Sequence, residues 1–326
     1  MRILNTIGKE CPQEARSILK KLGAVHYRKF SQEELVKCIS EYDAAVVGLG
    51  LTFDKDVFSA AKKLKVIATA TTGLDHIDLE EARKKRVEVL SLRGETAFLN
   101  TITGTAELAA GLMIDLLRHT PHAFESVKRY EWNRDAFRGH NLYGQTLGIV
   151  GLGRLGRWMA RYGEAFGMNV IFTDPAVKTS PRKNWKKVSL KELLKQSNVV
   201  SIHVHLSPDT ENMFSAREFN LMKKNAYLVN TSRGKIVDEK AVLAAFKKKT
   251  IAGYATDVLA DEFSFSSEGG SASGGETRFR NHPLVEYAKK NQNLIIVPHI
   301  GGMTEESREA TDIFMAKKIS EFFLKT

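Results

Sequence analysis

The chain has 326 residues, of which 43% are hydrophobic and 27% charged, a composition typical of a globular protein long enough for two domains. Its only two cysteines, Cys11 and Cys38, exclude a disulfide scaffold and suit a reducing compartment. The net charge of +11 favours an anionic ligand, but the basic residues are scattered in short runs without zinc-finger spacing or interleaved aromatics, so we expect no nucleic-acid partner.

The amino-terminal stretch is MRILNTIGKECP, which lacks the apolar core of a signal peptide. No apolar run in the sequence approaches the ~20 residues that are needed to cross a bilayer. We therefore expect a cytoplasmic protein without a membrane partner.

The first hundred residues alternate short apolar runs with helical patterns. Strands are predicted at 2–7, 45–50, 64–70 and 87–92. Helices are predicted at 12–23 and 31–42, and the second of these begins with a capping box formed by Ser31 and Glu34. This alternation predicts a parallel sheet that is covered by helices.

A long helical pattern at 103–132, which Pro121 should break or kink, leads into a second α/β series. The strands of this series are predicted at 146–150, 169–174, 198–204, 226–232, 251–258 and 293–300, and a last amphipathic helix at 304–326. Between Glu262 and Pro283 a stretch rich in Gly and Ser predicts a surface loop. The sequence therefore predicts an α/β protein with two units, of which only the second has a phosphate-binding loop.

The glycine-rich stretch GLGRLG at 151–156 matches the pattern G-x-G-x-x-G. It follows a predicted strand and begins a predicted helix, which is the context of a dinucleotide-binding loop. We expect Gly151 to allow the tight turn, Gly153 to let the backbone approach a pyrophosphate, and Gly156 to let the helix pack close to the strand. The amides of Arg154 and Leu155 are expected at the helix N-terminus, where an anion is favoured.

Asp174 comes 18 residues after the last glycine, at the end of the next predicted strand. A carboxylate at this position can accept hydrogen bonds from the adenosine ribose and repels a 2′-phosphate, which predicts NAD rather than NADP. A Rossmann-like methyltransferase also has a glycine-rich loop and a later acid, but it does not need the residues that follow.

Potentially functional side chains stand at three further strand ends of the second unit. Arg233 follows the strand at 226–232. Asp257 lies at the end of the strand at 251–258, and Glu262 lies in the loop after it. His299 lies near the end of the last strand. Ligands bind at the carboxyl ends of strands in such sheets.

With two cysteines far from the glycine loop, a zinc alcohol dehydrogenase is excluded and no metal is expected. His203 and His205 share a face of one strand, and one of them is expected near the cofactor.

These segments together resemble the D-isomer-specific 2-hydroxyacid dehydrogenase family. The similarity extends from about residue 43 to about residue 310 and includes GHNLYGQTLGIVGLGRLG, HVHLSPDTENMF, LMKKNAYLVNTSRGKIVDEKAV, GYATDVLADE and VPHIGG. The motifs occur in family order and at family-like spacing.

The resemblance implies a role for each matching residue. Arg233 would bind the substrate carboxylate and carbonyl, and His299 would be the acid–base group on the substrate oxygen. Glu262 would pair with His299, because a carboxylate beside an imidazole favours its protonated form. The implied cofactor contacts are Asp257 near the nicotinamide, and Thr231, Ser232, Gly301 and Gly302 through the backbone, while Gly73 and Leu74 would hold the substrate carboxylate.

The resemblance also implies an architecture and an assembly. Residues 1–100 plus 301–326 would form a substrate domain, and residues 101–300 an inserted NAD-binding Rossmann domain, each with a Rossmann-like or flavodoxin-like parallel sheet. A homodimer through the cofactor domain is implied, as is a 2-hydroxy or 2-keto acid as the substrate. Phe263 and the long loop after it depart from the family pattern. The alternative within the family is an NAD-sensing corepressor with little turnover.

Overall fold

The computed structural model of the protein describes residues 1–262, 265 and 278–325. Phe263 and most of the predicted Gly/Ser-rich loop lie outside the described residues. The described chain divides into two compact units, each with one parallel sheet, which confirms the predicted α/β class. The first unit contains residues 1–102, 265, 278–279 and 304–325, and the second contains 103–262 and 280–303.

The first unit is built on a five-stranded sheet in the order β2-β1-β3-β4-β5, with every paired strand parallel. This is the flavodoxin-like order. Its central strands β3 and β4 are buried along their whole length, which is why every residue in them except Thr69 is apolar. The strands are β1 (Arg2–Asn5), β2 (Ala24–Tyr27), β3 (Ala44–Val47), β4 (Val66–Thr69) and β5 (Glu88–Leu90).

Helices cover this sheet, and the last helix of the chain belongs to them. The predicted capping box at the start of α2 is confirmed, because the Ser31 hydroxyl accepts the Glu34 amide and the Glu34 carboxylate accepts the Ser31 amide. Met315 and Ile319 of α13 pack in one core with Ile3 and Leu19. The helices are α1 (Gln13–Leu22), α2 (Gln32–Cys38), α3 (Lys55–Ala60), α4 (Leu79–Lys84), α5 (Thr96–Leu99) and α13 (Glu305–Lys325).

The second unit is built on a seven-stranded sheet in the order β12-β11-β10-β9-β6-β7-β8, again with parallel pairs. The strand order reverses between β6 and β9, and the carboxyl ends of strands at such a switch point form a ligand site. The strands are β6 (Thr146–Val150), β7 (Asn169–Thr173), β8 (Lys186–Lys187), β9 (Val199–Ile202), β10 (Tyr227–Asn230), β11 (Gly253–Thr256) and β12 (Leu294–Ile296).

The helical pattern at 103–132 is divided into two helices, and the break lies at His119 rather than at the predicted Pro121. His119 separates them with a left-handed φ of +56°, and Pro121 lies in the first turn of the second helix, where its missing N–H costs nothing. The helices of this unit are α6 (Gly104–Arg118), α7 (Thr120–Lys128), α8 (Arg154–Ala165), α9 (Leu190–Gln196), α10 (Ala216–Leu221), α11 (Glu239–Lys248) and α12 (Pro283–Ala288).

One helical stretch among the described residues, Thr96–Arg118, is long and apolar enough to meet the length and composition of a membrane span, with a mean hydropathy of 1.2. It is not a continuous apolar run, because Asn100, Glu107 and Asp115 interrupt it. The stretch contains two helices, and Leu112, Met113 and Leu116 of α6 are buried in the core of the second unit. Core helices of globular proteins also have this length and composition.

Candidate active site

The glycine loop joins β6 to α8 at the switch point of the second sheet. Gly151 has φ +92°, and a Cβ there would lie 2.6 Å from the carbonyl oxygen of His203. A Cβ on Gly156 would lie 2.0 Å from the carbonyl oxygen of Gly151, so the helix start packs directly on the turn. At Gly153, in contrast, a Cβ would meet no described atom within 4 Å. The loop thus leaves open space where α8 begins at Arg154, beside the amides that favour an anion.

Asp174 follows β7 and fixes this loop. Its Oδ2 accepts the Leu152 amide at 2.7 Å, and its Oδ1 accepts the amides of Ala176 and Val177 at 2.8 and 3.2 Å. A carboxylate has about four lone-pair directions, so room for a further donor is left. The sequence predicted that Asp174 contacts a ribose. The structure shows a second role, because Asp174 also holds the glycine loop to the end of β7.

Two polar atoms without partners lie at the neighbouring ends of β9 and β10. Among the described residues, His203 Nδ1 and Thr231 Oγ1 are buried and have no hydrogen-bond partner. His203 Nε2 lies 2.8 Å from Ser201 Oγ, and burial lowers the pKa of His203 to about 4, so the ring is neutral near pH 7. The Ser232 hydroxyl donates to the Ile202 carbonyl at 2.8 Å. Because His203 also touches the Gly151 turn, these unpartnered atoms and the open glycine loop fit a bound dinucleotide.

Asp257 follows β11 and is 1% exposed. Its carboxylate accepts the amides of Ile300 and Gly301 at 2.6 and 2.8 Å, and its carbonyl accepts the amide of His299 at 2.9 Å. Burial raises the pKa of Asp257 to about 6, while the two amides and the charge of His299 act in the opposite direction. The contacts that Asp257 makes are with the turn that carries His299, and its predicted contact with the nicotinamide stays a prediction.

His299 itself has φ +53°, a left-handed backbone that costs a non-glycine residue about 1–2 kcal/mol. Its Nδ1 lies 2.7 Å from Glu262 Oε1, with the two side chains 25% and 15% exposed. Glu262 Oε2 accepts the Leu259 amide at 3.1 Å, so the carboxylate is held from both sides. With Nδ1 engaged by the carboxylate, Nε2 is the nitrogen that can exchange a proton with a ligand.

Arg233 lies at the end of β10, at the start of the short 3-10 helix Gly234–Ile236. Asn230 shapes this turn, since its side-chain amide donates to the Arg233 carbonyl at 2.9 Å and its Oδ1 accepts the Ser232 amide at 3.0 Å. A Cβ on Gly234 would lie 2.0 Å from the carbonyl carbon of Leu259. The turn that carries Arg233 therefore packs without space against the turn that carries Glu262.

The structure thus brings the turns of Arg233, Glu262 and His299 together at the carboxyl ends of the adjacent strands β10, β11 and β12. Gly302, in the same last turn, has no described atom within 4 Å of a Cβ position. Gly73 and Leu74 lie in the first unit, after β4, where the Thr71 hydroxyl donates to the Gly73 carbonyl at 2.7 Å. Their predicted contact with a substrate carboxylate stays a prediction.

The strand order, the glycine loop at the switch point and the acid at the end of β7 define a Rossmann-type dinucleotide-binding protein. A sequence profile described as D-isomer specific 2-hydroxyacid dehydrogenase, NAD binding domain, matches residues 110–301. The chain belongs to the D-isomer-specific 2-hydroxyacid dehydrogenases, a family of NAD-dependent oxidoreductases, which confirms the family predicted from the motifs.

Individual relatives differ in length. D-3-phosphoglycerate dehydrogenase of Methanocaldococcus jannaschii is 34% identical over 95% of this chain and 55% of the relative. Glyoxylate reductase of Thermococcus litoralis is 34% identical over 88% of this chain and 82% of the relative. The chain thus spans about half the length of the phosphoglycerate dehydrogenases that it matches. Among solved structures, D-lactate dehydrogenase from Aquifex aeolicus, in complex with NAD and lactic acid, is similar with a TM-score of 0.82, at 27% identity over 100% of this chain and 96% of that one.

Proposed function

We propose that the protein is an NAD-dependent oxidoreductase that interconverts a D-2-hydroxy acid and the corresponding 2-keto acid. The observation that carries this proposal is the 2.7 Å contact between His299 Nδ1 and Glu262 Oε1, on a turn beside Arg233 and in the same unit as the glycine loop. An imidazole with a carboxylate on one nitrogen can donate a proton at the other, which is the chemistry that carbonyl reduction requires.

In the direction of reduction, the protonated His299 donates the proton on Nε2 to the keto oxygen, and Glu262 stabilises the imidazolium before the transfer. The glycine loop and Asp174 would hold NADH, and the bound cofactor would supply the hydride for the carbonyl carbon. In the direction of oxidation, neutral His299 accepts the hydroxyl proton at Nε2. The bonds of Asp257 to the Ile300 and Gly301 amides hold the turn that carries the ring, and Glu262 holds the ring at Nδ1, so little reorganisation is needed during the transfer.

Arg233 gives the site its preference for carboxylates. A guanidinium forms two parallel hydrogen bonds with a carboxylate or with a carboxylate and a neighbouring carbonyl, and so fixes the orientation of the substrate. The packing of its turn against that of Glu262 supports a fixed distance between the carboxylate anchor and the proton donor. We propose 2-keto acids, rather than simple aldehydes or ketones, as substrates for this reason.

The experiment that tests this function is a panel of 2-keto acids, including glyoxylate, hydroxypyruvate and larger 2-keto acids, with NADH or NADPH. We expect NADH oxidation with at least one of them, and a lower kcat/KM with NADPH because the Asp174 carboxylate repels a 2′-phosphate. Simple ketones without a carboxylate serve as controls and should not react. Tight NADH binding without turnover of any keto acid would contradict the proposal and favour an NAD-sensing protein.

We further propose that the protein forms a homodimer through a surface of the second unit, defined by Phe124, Val127, Tyr130 and Trp132. These side chains are 50–99% exposed, which is unusual for a cluster of large apolar residues. Acidic and basic residues alternate beside them, with Lys128 on Glu125 and Arg129 on Glu131, so the surface can pair with a second copy of itself.

Sedimentation of the purified chain should give twice the chain mass, and Trp132→Ser together with Phe124→Ser should give the monomer. Leu324→Ser, which removes an exposed apolar side chain of the first unit, is the matched control and should leave the dimer intact. A monomeric parent protein would contradict this assembly.

We further propose that the protein is located in the cytoplasm, since Cys11 and Cys38 are both free thiols.

A further inference from the structure

Glu239, the first residue of α11, makes two contacts that the proposed reaction does not use. Its Oε1 accepts the amide of Ala260 at 2.9 Å. Its Oε2 lies 3.2 Å from Nε2 of His282, and the two side chains are 22% and 10% exposed. Helix capping does not need this carboxylate, because Asp238 already accepts the first amides of α11. Glu239 thus joins two segments that are distant from each other in sequence.

The first of these segments is the turn that carries Glu262. Ala260 lies two residues before Glu262, and its amide nitrogen is 2.3 Å from the position that a Cβ on Gly234 would occupy. The peptide between Leu259 and Ala260 is therefore fixed by Gly234 on one side and by a charge-assisted hydrogen bond to Glu239. The amide of Leu259, just before this peptide, donates to Glu262 Oε2, so a shift of the turn moves the Glu262 carboxylate.

The second segment leads to His299. His282 is the N-cap residue of α12, and this helix is followed by β12, at whose end His299 lies. Glu239 therefore contacts the segment that carries Glu262 and also the segment that leads to His299. All of these residues belong to the second unit.

We propose that Glu239 is a positioning residue, which holds the Ala260 turn against α11 and the start of α12 and thereby keeps Glu262 within hydrogen-bond distance of His299. This proposal rests on the proposed function only for its effect on turnover. Glu239 acts on His299 through Glu262, whose Oε1 lies 2.7 Å from the ring nitrogen Nδ1.

The test compares Glu239→Ala and Glu239→Gln in the full chain. Glutamine keeps an oxygen that can accept the Ala260 amide, whereas alanine keeps none. Glu239→Asp withdraws the carboxylate by one methylene while retaining the charge at the helix start, and it replaces the alanine variant if that one does not fold. Glu218→Ala is the matched control. Glu218 lies in the first turn of another helix of this unit, and its carboxylate accepts the backbone amide of Ser215 at 3.2 Å.

The first readout needs no turnover. In ¹⁵N-histidine-labelled protein, the Nδ1–H resonance of His299 reports its hydrogen bond to Glu262, and its absence from His299→Asn assigns it among the nine histidines. We expect Glu239→Ala and Glu239→Asp to lose this resonance, and Glu239→Gln and Glu218→Ala to keep it. Because no substrate is present, this result stands even if the keto acid panel finds no activity.

The second readout is the pair of kinetic constants kcat and KM for reduction. In the alanine and aspartate variants kcat should fall roughly 10-fold or more, up to the 10²-fold that a misplacement of 1 Å can cost, with little change in KM. An Nδ1–H resonance that survives in Glu239→Ala, or a glutamine variant that behaves like the alanine variant, would overturn the proposal.

Discussion

Replacing His299 by Asn or Gln is expected to lower kcat for keto acid reduction by about 10²- to 10⁴-fold, the usual contribution of a general acid–base group. The dissociation constant for NADH should stay near that of the parent protein, because the glycine loop and Asp174 are separate from the imidazole. Steady-state kinetics and quenching of NADH fluorescence measure the two quantities.

Asparagine is the cleaner replacement of the two. It tolerates the left-handed backbone at φ +53° better than glutamine, so a loss of activity in His299→Asn reports chemistry rather than a rearranged turn. A His299→Asn enzyme that keeps most of its turnover would eliminate His299 as the proton donor.

Arg233→Gln is expected to lower kcat/KM for the keto acid by about 30- to 5000-fold, equivalent to the 2–5 kcal/mol that is lost when one member of a hydrogen-bonded charge pair is truncated. Arg233→Lys should fall between the parent and the glutamine variant, because an ammonium keeps the charge but not the two parallel hydrogen bonds.

The matched control is Arg182→Gln, which removes an arginine of the same unit from an exposed pair with Glu164. An exposed pair of this kind contributes little, so the kinetics should not change. If Arg233→Gln reduced keto acids as efficiently as the parent, another group would have to bind the substrate carboxylate.

The apolar strands of both sheets could be predicted from the sequence, because a parallel strand buried on both faces needs a continuous apolar run. Two strands were missed for the opposite reason. β2 (Ala24–Tyr27) is a half-buried edge strand without such a run, and β8 consists of two exposed lysines whose place is set only by pairing with β7. Tertiary pairing, rather than local preference, decides these elements.

The candidate site was predictable to a similar extent. The sequence singled out Glu262 and His299, which are 37 positions apart and lie 2.7 Å from each other in the structure. It could not reveal that Asp257 holds the His299 turn, since a strand-end aspartate is equally compatible with a ligand contact. Glu239 was invisible because an acid in the first turn of a helix is explained by the helix alone. Its contacts with Ala260 and His282 depend on the folded chain.

The left-handed backbone at position 299 has an evolutionary consequence. Histidine and asparagine codons differ by a single nucleotide, and both residues are enriched in this backbone region. On the proposed function, one mutation would therefore replace the proton donor while the turn, the Asp257 bonds to the Ile300 and Gly301 amides, and the glycine loop all persist. A gene for this fold is thus one nucleotide substitution away from encoding the same folded state with a site that lacks its proposed acid–base group.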